Sequence, residues 1–302
     1  MIGSEVGFSI CRDNLDRGRQ TLTEQYEIRR SHLADMARLC AESLRQTHRE
    51  LGSLSMALAD LSDKMTASER DASYGTAFTD RVHRQLARFD RIWFVWALAE
   101  RLDALAGLDL RDLFPSVPLG GRVSYVRHRS TDRALSVLSS DLTDTTVSYT
   151  ADMVEACEET VGGQSDLCLL PYRDGAGNPL HSVEELTARF GLFLNWLVVT
   201  SEGEFGVYAR GAFGPLPQRE PLCLAFLAED GEQLAQLQEM ANEGGGSLYE
   251  MRTSEKEEKR QHALTLLVPN LDIAKRVLLY RSLFTPTVRL VGAYQILTEG
   301  DT

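Results

Sequence analysis

Four consecutive apolar residues, Leu167, Cys168, Leu169 and Leu170, run into Pro171 and then into a polar, glycine-containing loop that reads Tyr172-Arg173-Asp174-Gly175-Ala176-Gly177-Asn178. Such a run suits a strand covered on both faces of a parallel sheet. Upstream, 122–126 (RVSYV) predicts a first strand, 133–139 a helix, 145–149 a second strand and 153–161 a second helix. The resulting β-α-β-α-β order implies a small α/β layer with right-handed crossovers. Ligands of such layers bind at the carboxyl ends of the strands. That placement singles out Tyr172, Arg173 and Asp174, with Tyr125 on the first strand and Thr131 shortly after it. The plainer alternative is a strand-to-helix turn with no ligand.

The segment before this layer has a different period. Cys40, Leu44, Thr47, Leu51, Leu54, Leu58, Leu61 and Met65 fall at alternating steps of four and three, and Leu33 and Met36 extend the stripe backward. This heptad seam predicts one helix from Thr23 to about Met65, on the order of 60 Å long, which needs another long helix to pack along. Thr21 with Glu24 has the form of a capping box at its start. A second helix carries Val82, Leu86, Phe89, Trp93, Trp96 and Leu102 on one face and ends at Gly107. Residues 21–108 therefore form a long antiparallel helical hairpin that dimerises, while 1–20 are left open between a short strand and irregular structure.

Two prolines and a Gly-Gly pair in 109–121 mark a linker, and 211–221 marks another. The first lobe spans 121–211, with a helix at 182–190 capped by Ser182 and carrying Glu184 and Glu185 in its first turn, then strands at 192–200 and 205–210. Residues 220–298 show strand, helix, strand, a charged turn at 254–260, strand, helix, strand, the βαββαβ order of ferredoxin-like domains. The fold class is thus a mixture: a helical hairpin, a small α/β lobe and an α+β domain.

Charge and composition exclude several functions. A net charge of −12 and a pI near 5.1 disfavour a nucleic-acid or anionic-membrane partner. No stretch is apolar enough for a bilayer span, and the start has no signal-peptide pattern, so a cytoplasmic location is expected. The five cysteines and six histidines are scattered without metal-ligand spacing. G-x-G-x-x-G, P-loop and G-x-S-x-G motifs are missing. No metal or other cofactor is expected.

The Val-x-Tyr strand, the two βα units and the run Asp166-Leu167-Cys168-Leu169-Leu170-Pro171 resemble the first lobe of prephenate dehydratases. The stretch from 221 to 297, ending Gly292-Ala293-Tyr294, resembles the ACT regulatory domain that follows the dehydratase lobes in those enzymes. The helical hairpin stands where bifunctional relatives carry a chorismate mutase, so the order of parts resembles mutase, dehydratase and ACT.

That resemblance implies a set of roles. Arg29, Arg30, Arg45 and Glu69 would be mutase remnants, although the mutase lysine has no counterpart at Met56 or Ala57, and Arg38, Arg45 and Arg49 also fit a solvated coiled-coil face. In the dehydratase loop Asp174 stands where the family has asparagine, and the serine is gone. The strand 205–210 lacks the family's threonine, and only one of the two dehydratase lobes has room in the chain. In the ACT part Gly231, Leu234, Glu250 and Arg252 match the amino-acid-binding motifs; a purely dimerising ACT fold is the alternative. The expectation is a dimeric, non-catalytic sensor of an aromatic amino acid or shikimate-pathway molecule, or an interaction protein, with residual mutase or dehydratase activity as the alternative.

Overall fold

The computed structural model describes residues 3–71, 77–104, 113, 121–140, 142, 144–173, 177–178, 180–211, 221–256 and 259–300, and for 3–17, 65–71, 77–89, 255–256 and 259 the backbone alone. The chain divides into two units, Met1–Leu108 and Asp109–Thr302.

Three helices build the first unit: α1 (Gly3–Leu51), α2 (Leu54–Asp71) and α3 (Ala77–Asp103). Helix already runs from Gly3, so residues 1–20 are neither strand nor irregular where described, and Thr21 lies inside α1 instead of capping it. The single helix expected to Met65 is also corrected. Gly52 takes φ +68°, a conformation open to glycine, and its N–H closes α1 on the His48 carbonyl at 2.8 Å. Ser53 then starts α2, its hydroxyl 3.5 Å from the Met56 amide. The heptad seam is only partly buried. Leu44, Leu54, Leu58 and Leu61 are core residues with Ala37 and Ala41, whereas Met36 and Leu51 remain exposed. Both α2 and α3 pack on α1. Helix α3 ends at Asp103; the expected end at Gly107 lies outside the described residues.

The second unit is one nine-stranded sheet. Its strands are β1 (Arg122–Val126), β2 (Thr146–Thr150), β3 (Leu167–Pro171), β4 (Phe193–Thr200), β5 (Gly203–Ala209), β6 (Leu222–Ala228), β7 (Ser247–Lys256), β8 (Lys259–Val268) and β9 (Arg289–Thr298). The helices are α4 (Arg129–Ser139), α5 (Met153–Gly162), α6 (His181–Arg189), α7 (Gly231–Glu243) and α8 (Leu271–Phe284). The order across the sheet is β2-β1-β3-β5-β4-β9-β6-β8-β7. β3 is parallel to β1 but antiparallel to β5, so the sheet is mixed and not the parallel one that its apolar run suggested. The charged turn expected at 254–260 is mostly strand, because β7 and β8 stay paired out to Lys256 and Lys259. Helix α6 begins at His181 after Leu180, which offers no side-chain cap, so Ser182 sits inside the helix.

β6, β7, β8 and β9 with α7 and α8 have the strand order 4-1-3-2 of a ferredoxin-like unit. β9 also pairs in parallel with β4, from Leu194↔Gly292 to Val199↔Thr298. The two segments that the linker at 211–221 divides in the sequence therefore share one sheet. A bulge at Asn195 absorbs a register shift on both sides of β4, and its buried amide donates to the Phe193 and Gly211 carbonyls at 2.9 and 3.0 Å.

Each face of the sheet has its own core. Helix α4 covers Val123, Tyr125, Leu169, Trp196, Val198 and Val207. On the other face α5 and α6 meet Leu170, Tyr172, Leu194, Leu197, Tyr208, Cys223 and Tyr294, with Val199, Ala225, Leu267 and Ile296 partly exposed beside them.

Gly206 lies under the buried ring of Tyr208, where a Cβ would approach the ring carbons to 2.5 Å. Gly206→Ala is expected to lower the stability of this unit by about 1–3 kcal/mol, read as an earlier urea midpoint with an unchanged m-value.

Candidate functional site

Arg173, just past the end of β3, is held close to Glu250 on β7. In the sheet order these strands are six steps apart, roughly 29 Å at about 4.8 Å per step, far beyond the reach of two side chains. The contact therefore requires the sheet to coil strongly, with α5 and α6 on its concave face.

A row of alternating charges closes the coil. Arg173 Nε stands 2.9 Å from Glu204 Oε2 as an ion pair, and Arg173 donates to Glu250 Oε2 at 2.9 Å. Arg252 Nε lies 3.3 Å from Glu250 Oε1, and Arg252 donates to Glu184 Oε1 at 2.7 Å. His181 Nδ1 is 3.2 Å from Glu184 Oε2. Arg173 also donates to the Gly177 carbonyl at 2.9 Å, which ties the loop after β3 to the row. Glu250 and Arg252 lie two residues apart on β7 and so on one face, while Glu184 comes from α6 and Glu204 from β5.

Burial works against the charge on both arginines, but the facing carboxylates outweigh it: Glu250 and Glu204 lift Arg173, and Glu184 lifts Arg252, above the usual guanidinium pKa. Tyrosines lie beneath. Burial pushes Tyr172 up to about 12 despite the opposing pull of Arg252. It raises Tyr208 and Tyr294 well above the ordinary phenol value, and pushes the Cys223 thiol up to about 12.

Of the residues singled out in the sequence, Tyr172, Arg173, Glu250 and Arg252 come together here, although they belong to segments expected to be separate domains. Asp174 lies outside the described residues. Tyr125 and Thr131 have local structural duties. The Tyr125 hydroxyl donates to Asp132 at 2.6 Å, and Thr131 forms the capping box of α4 with His128. Gly231 opens α7 beside the His262 ring, and Leu234 is buried in the same helix; neither belongs to the charged row. Arg29 is paired with Asp90, Arg30 sits over Trp93, and Arg45 is half-buried with no hydrogen-bond partner for its Nε among the described residues. Sixteen residues of α1 separate Arg29 from Arg45, about 24 Å at 1.5 Å per residue, so one small substrate cannot bridge them within a chain. The Glu69 side chain lies outside the described residues.

Sequence reasoning missed Glu184, Glu204, Tyr208 and Tyr294. Glu184 matched a helix-dipole role, and only the coil of the sheet reveals its partner. Among the described residues no group of three or more His, Cys, Asp and Glu could hold a metal ion, and no helix is long and apolar enough to cross a membrane.

Glu250 serves both arginines, so Glu250→Ala leaves two half-buried guanidiniums short of a partner; an expected loss of about 1–3 kcal/mol can be measured by urea unfolding. Tyr172 ionises near 10.0 in its ordinary state and near 12 when folded, so the folded chain holds this proton more tightly. Its contribution is intact below pH 10 and is lost as pH rises toward 12, on the order of 2–3 kcal/mol. Urea midpoints followed from pH 8 upward should fall above pH 10, and less steeply in Tyr172→Phe.

No family model matches the chain, and no curated protein matches it. Among solved structures it is similar to prephenate dehydratase from Streptococcus mutans, at 10% identity over 60% of this chain and 100% of that one, with a TM-score of 0.47. A prephenate dehydratase from Arthrobacter aurescens in complex with L-Phe is 11% identical over 57% of this chain and 89% of its own, with a TM-score of 0.41. GqqA, described as a novel type of quorum quenching acylase, is 11% identical over 58% and 95%, with a TM-score of 0.42. The likeness to each of these is distant.

Proposed function

We propose that this chain is a non-catalytic ligand-sensing protein related to the enzymes of aromatic amino-acid biosynthesis, and that it binds an aromatic amino acid at the Arg173–Glu250–Arg252–Glu184 row. We further propose that it acts as a cytoplasmic homodimer whose helical unit supplies the contact, through the seam residues Met36 and Leu51 left exposed on α1.

The alternation of charge carries the ligand assignment. A free amino acid presents a carboxylate and an ammonium a few ångströms apart, and the row offers guanidinium and carboxylate at the same spacing. Its balance also separates ligand classes. Three carboxylates, Glu184, Glu204 and Glu250, stand against two guanidiniums, Arg173 and Arg252. A dianion such as prephenate or chorismate would meet an excess of like charge, whereas a zwitterion would not. The sequence departures at the dehydratase loop and on strand β5 agree with this preference for binding over turnover.

Thermal unfolding of the full chain tests the proposal. Saturating L-phenylalanine or L-tyrosine should raise the melting temperature by several degrees, as expected of a ligand well above its Kd, and Arg252→Ala should abolish the rise. Turnover of chorismate or prephenate, or the absence of any shift with either amino acid, would overturn it.

A further inference from the structure

Among the described residues, the two edges of the nine-stranded sheet meet solvent differently. β7, at one edge, reads SLYEMRTSEK, with Glu250, Arg252, Glu255 and Lys256 charged, and has a bulge between Leu248 and Glu250. Charges and bulges keep an edge strand from pairing with another chain. β2, at the other edge, reads Thr146-Val147-Ser148-Tyr149-Thr150 and has no charge, no proline and no shift in its register with β1. It also forms the rim of the core under α4. Val147 pairs with buried Val123 and Tyr149 with buried Tyr125, yet the two rim residues are 39% and 56% exposed.

The backbone of β2 is already oriented to take another strand. Thr146 donates its N–H to the Gly121 carbonyl at 2.9 Å, and the parallel register with β1 is unbroken from there. Alternation along the ladder therefore turns the peptide groups of Thr146, Ser148 and Thr150 toward β1 and those of Val147 and Tyr149 outward. The five residues are also their own complement. Antiparallel pairing of two copies about Ser148 sets Val147 opposite Tyr149 and Thr146 opposite Thr150, pairs of the favourable aromatic–β-branched and Thr–Thr kinds, with the reciprocity that a two-fold contact needs. Charge follows the same symmetry. The largely exposed Arg127 lies over the Tyr149 ring at 5.0 Å at one end of the strand, and exposed Asp144 precedes the other, so the two-fold brings opposite charges to each end. Asp152, near the Arg127 end, is turned into α5, where it accepts from the Glu155 amide at 2.9 Å.

We infer that β2 is a docking edge for a second copy of this chain, the two sheets joining into one across a two-fold axis at Ser148. Val147 of each copy exchanges backbone hydrogen bonds with Tyr149 of the other, and the same four side chains cover the open rim of both cores. The ladder is short, so the association depends on protein concentration. This contact belongs to the sheet and is separate from the helical contact proposed above; a chain that makes both assembles beyond a dimer.

Sedimentation of the full chain and of single variants tests the inference. Val147→Lys and Tyr149→Lys each place a charge on the edge and should halve the mass of the assembly, with the circular dichroism of the unmodified chain retained. Ser148→Cys, on the axis, should form a disulfide-linked dimer with oxidised glutathione, beyond any that the unmodified chain forms; this readout decides alone should the lysine variants not fold. An unchanged mass in the folded lysine variants, or no added cross-link in Ser148→Cys, would overturn the inference. Met36→Lys on α1 separates the two contacts: a loss of mass there but not in the β2 variants leaves only the helical contact standing, and a monomeric unmodified chain removes both.

Discussion

The parallel pairing of β4 with β9 is the contact on which the second unit depends. It is made by backbone hydrogen bonds between two strongly apolar strands, with the Asn195 bulge taking up the mismatch in register. Without it the α/β layer and the ferredoxin-like unit would each end in an open strand edge. With it they form one sheet, and the coil of that sheet carries β7 round to the loop after β3. The charged row follows from this: Arg173 and Arg252 do not seek each other out along the chain, but are delivered to the same carboxylate by the curvature between them.

Much of the local structure was legible in the sequence, because the signals for it are local. The apolar run of β3 with Pro171, the alternation of strands and helices on either side, and the βαββαβ order near the end each follow from residues that are neighbours in the chain. Four of the candidate residues, Tyr172, Arg173, Glu250 and Arg252, lie together at the charged row. The grouping itself was not legible. Glu184 and Glu204 carry no local mark that distinguishes them from other surface acids, and the β4–β9 contact joins strands about a hundred residues apart, which no periodicity reports.

The helical unit shows the opposite kind of failure. The heptad stripe predicted a single rod to Met65, and stripe residues on both sides of the break, Leu44 and Leu54, are buried, although Leu51 beside the break is exposed. The break lies in two residues that the stripe overrode. An isolated glycine inside a helical pattern is usually tolerated, but Gly52 is followed by Ser53, so that a residue suited to end one helix stands directly before a residue suited to begin the next. Positional chemistry of that kind outweighs periodicity wherever the two conflict.

The place of β9 has a consequence for how the protein is made. It is the last of the nine strands in the chain, yet it lies between β4 and β6, in the interior of the sheet. During synthesis the edges of both neighbours stay open until it arrives, and all its pairings close long loops, which makes such contacts slow to form. A nascent chain halted before residue 289 would expose the apolar edges of β4 and β6 together, the situation in which a helper that shields strand edges matters most.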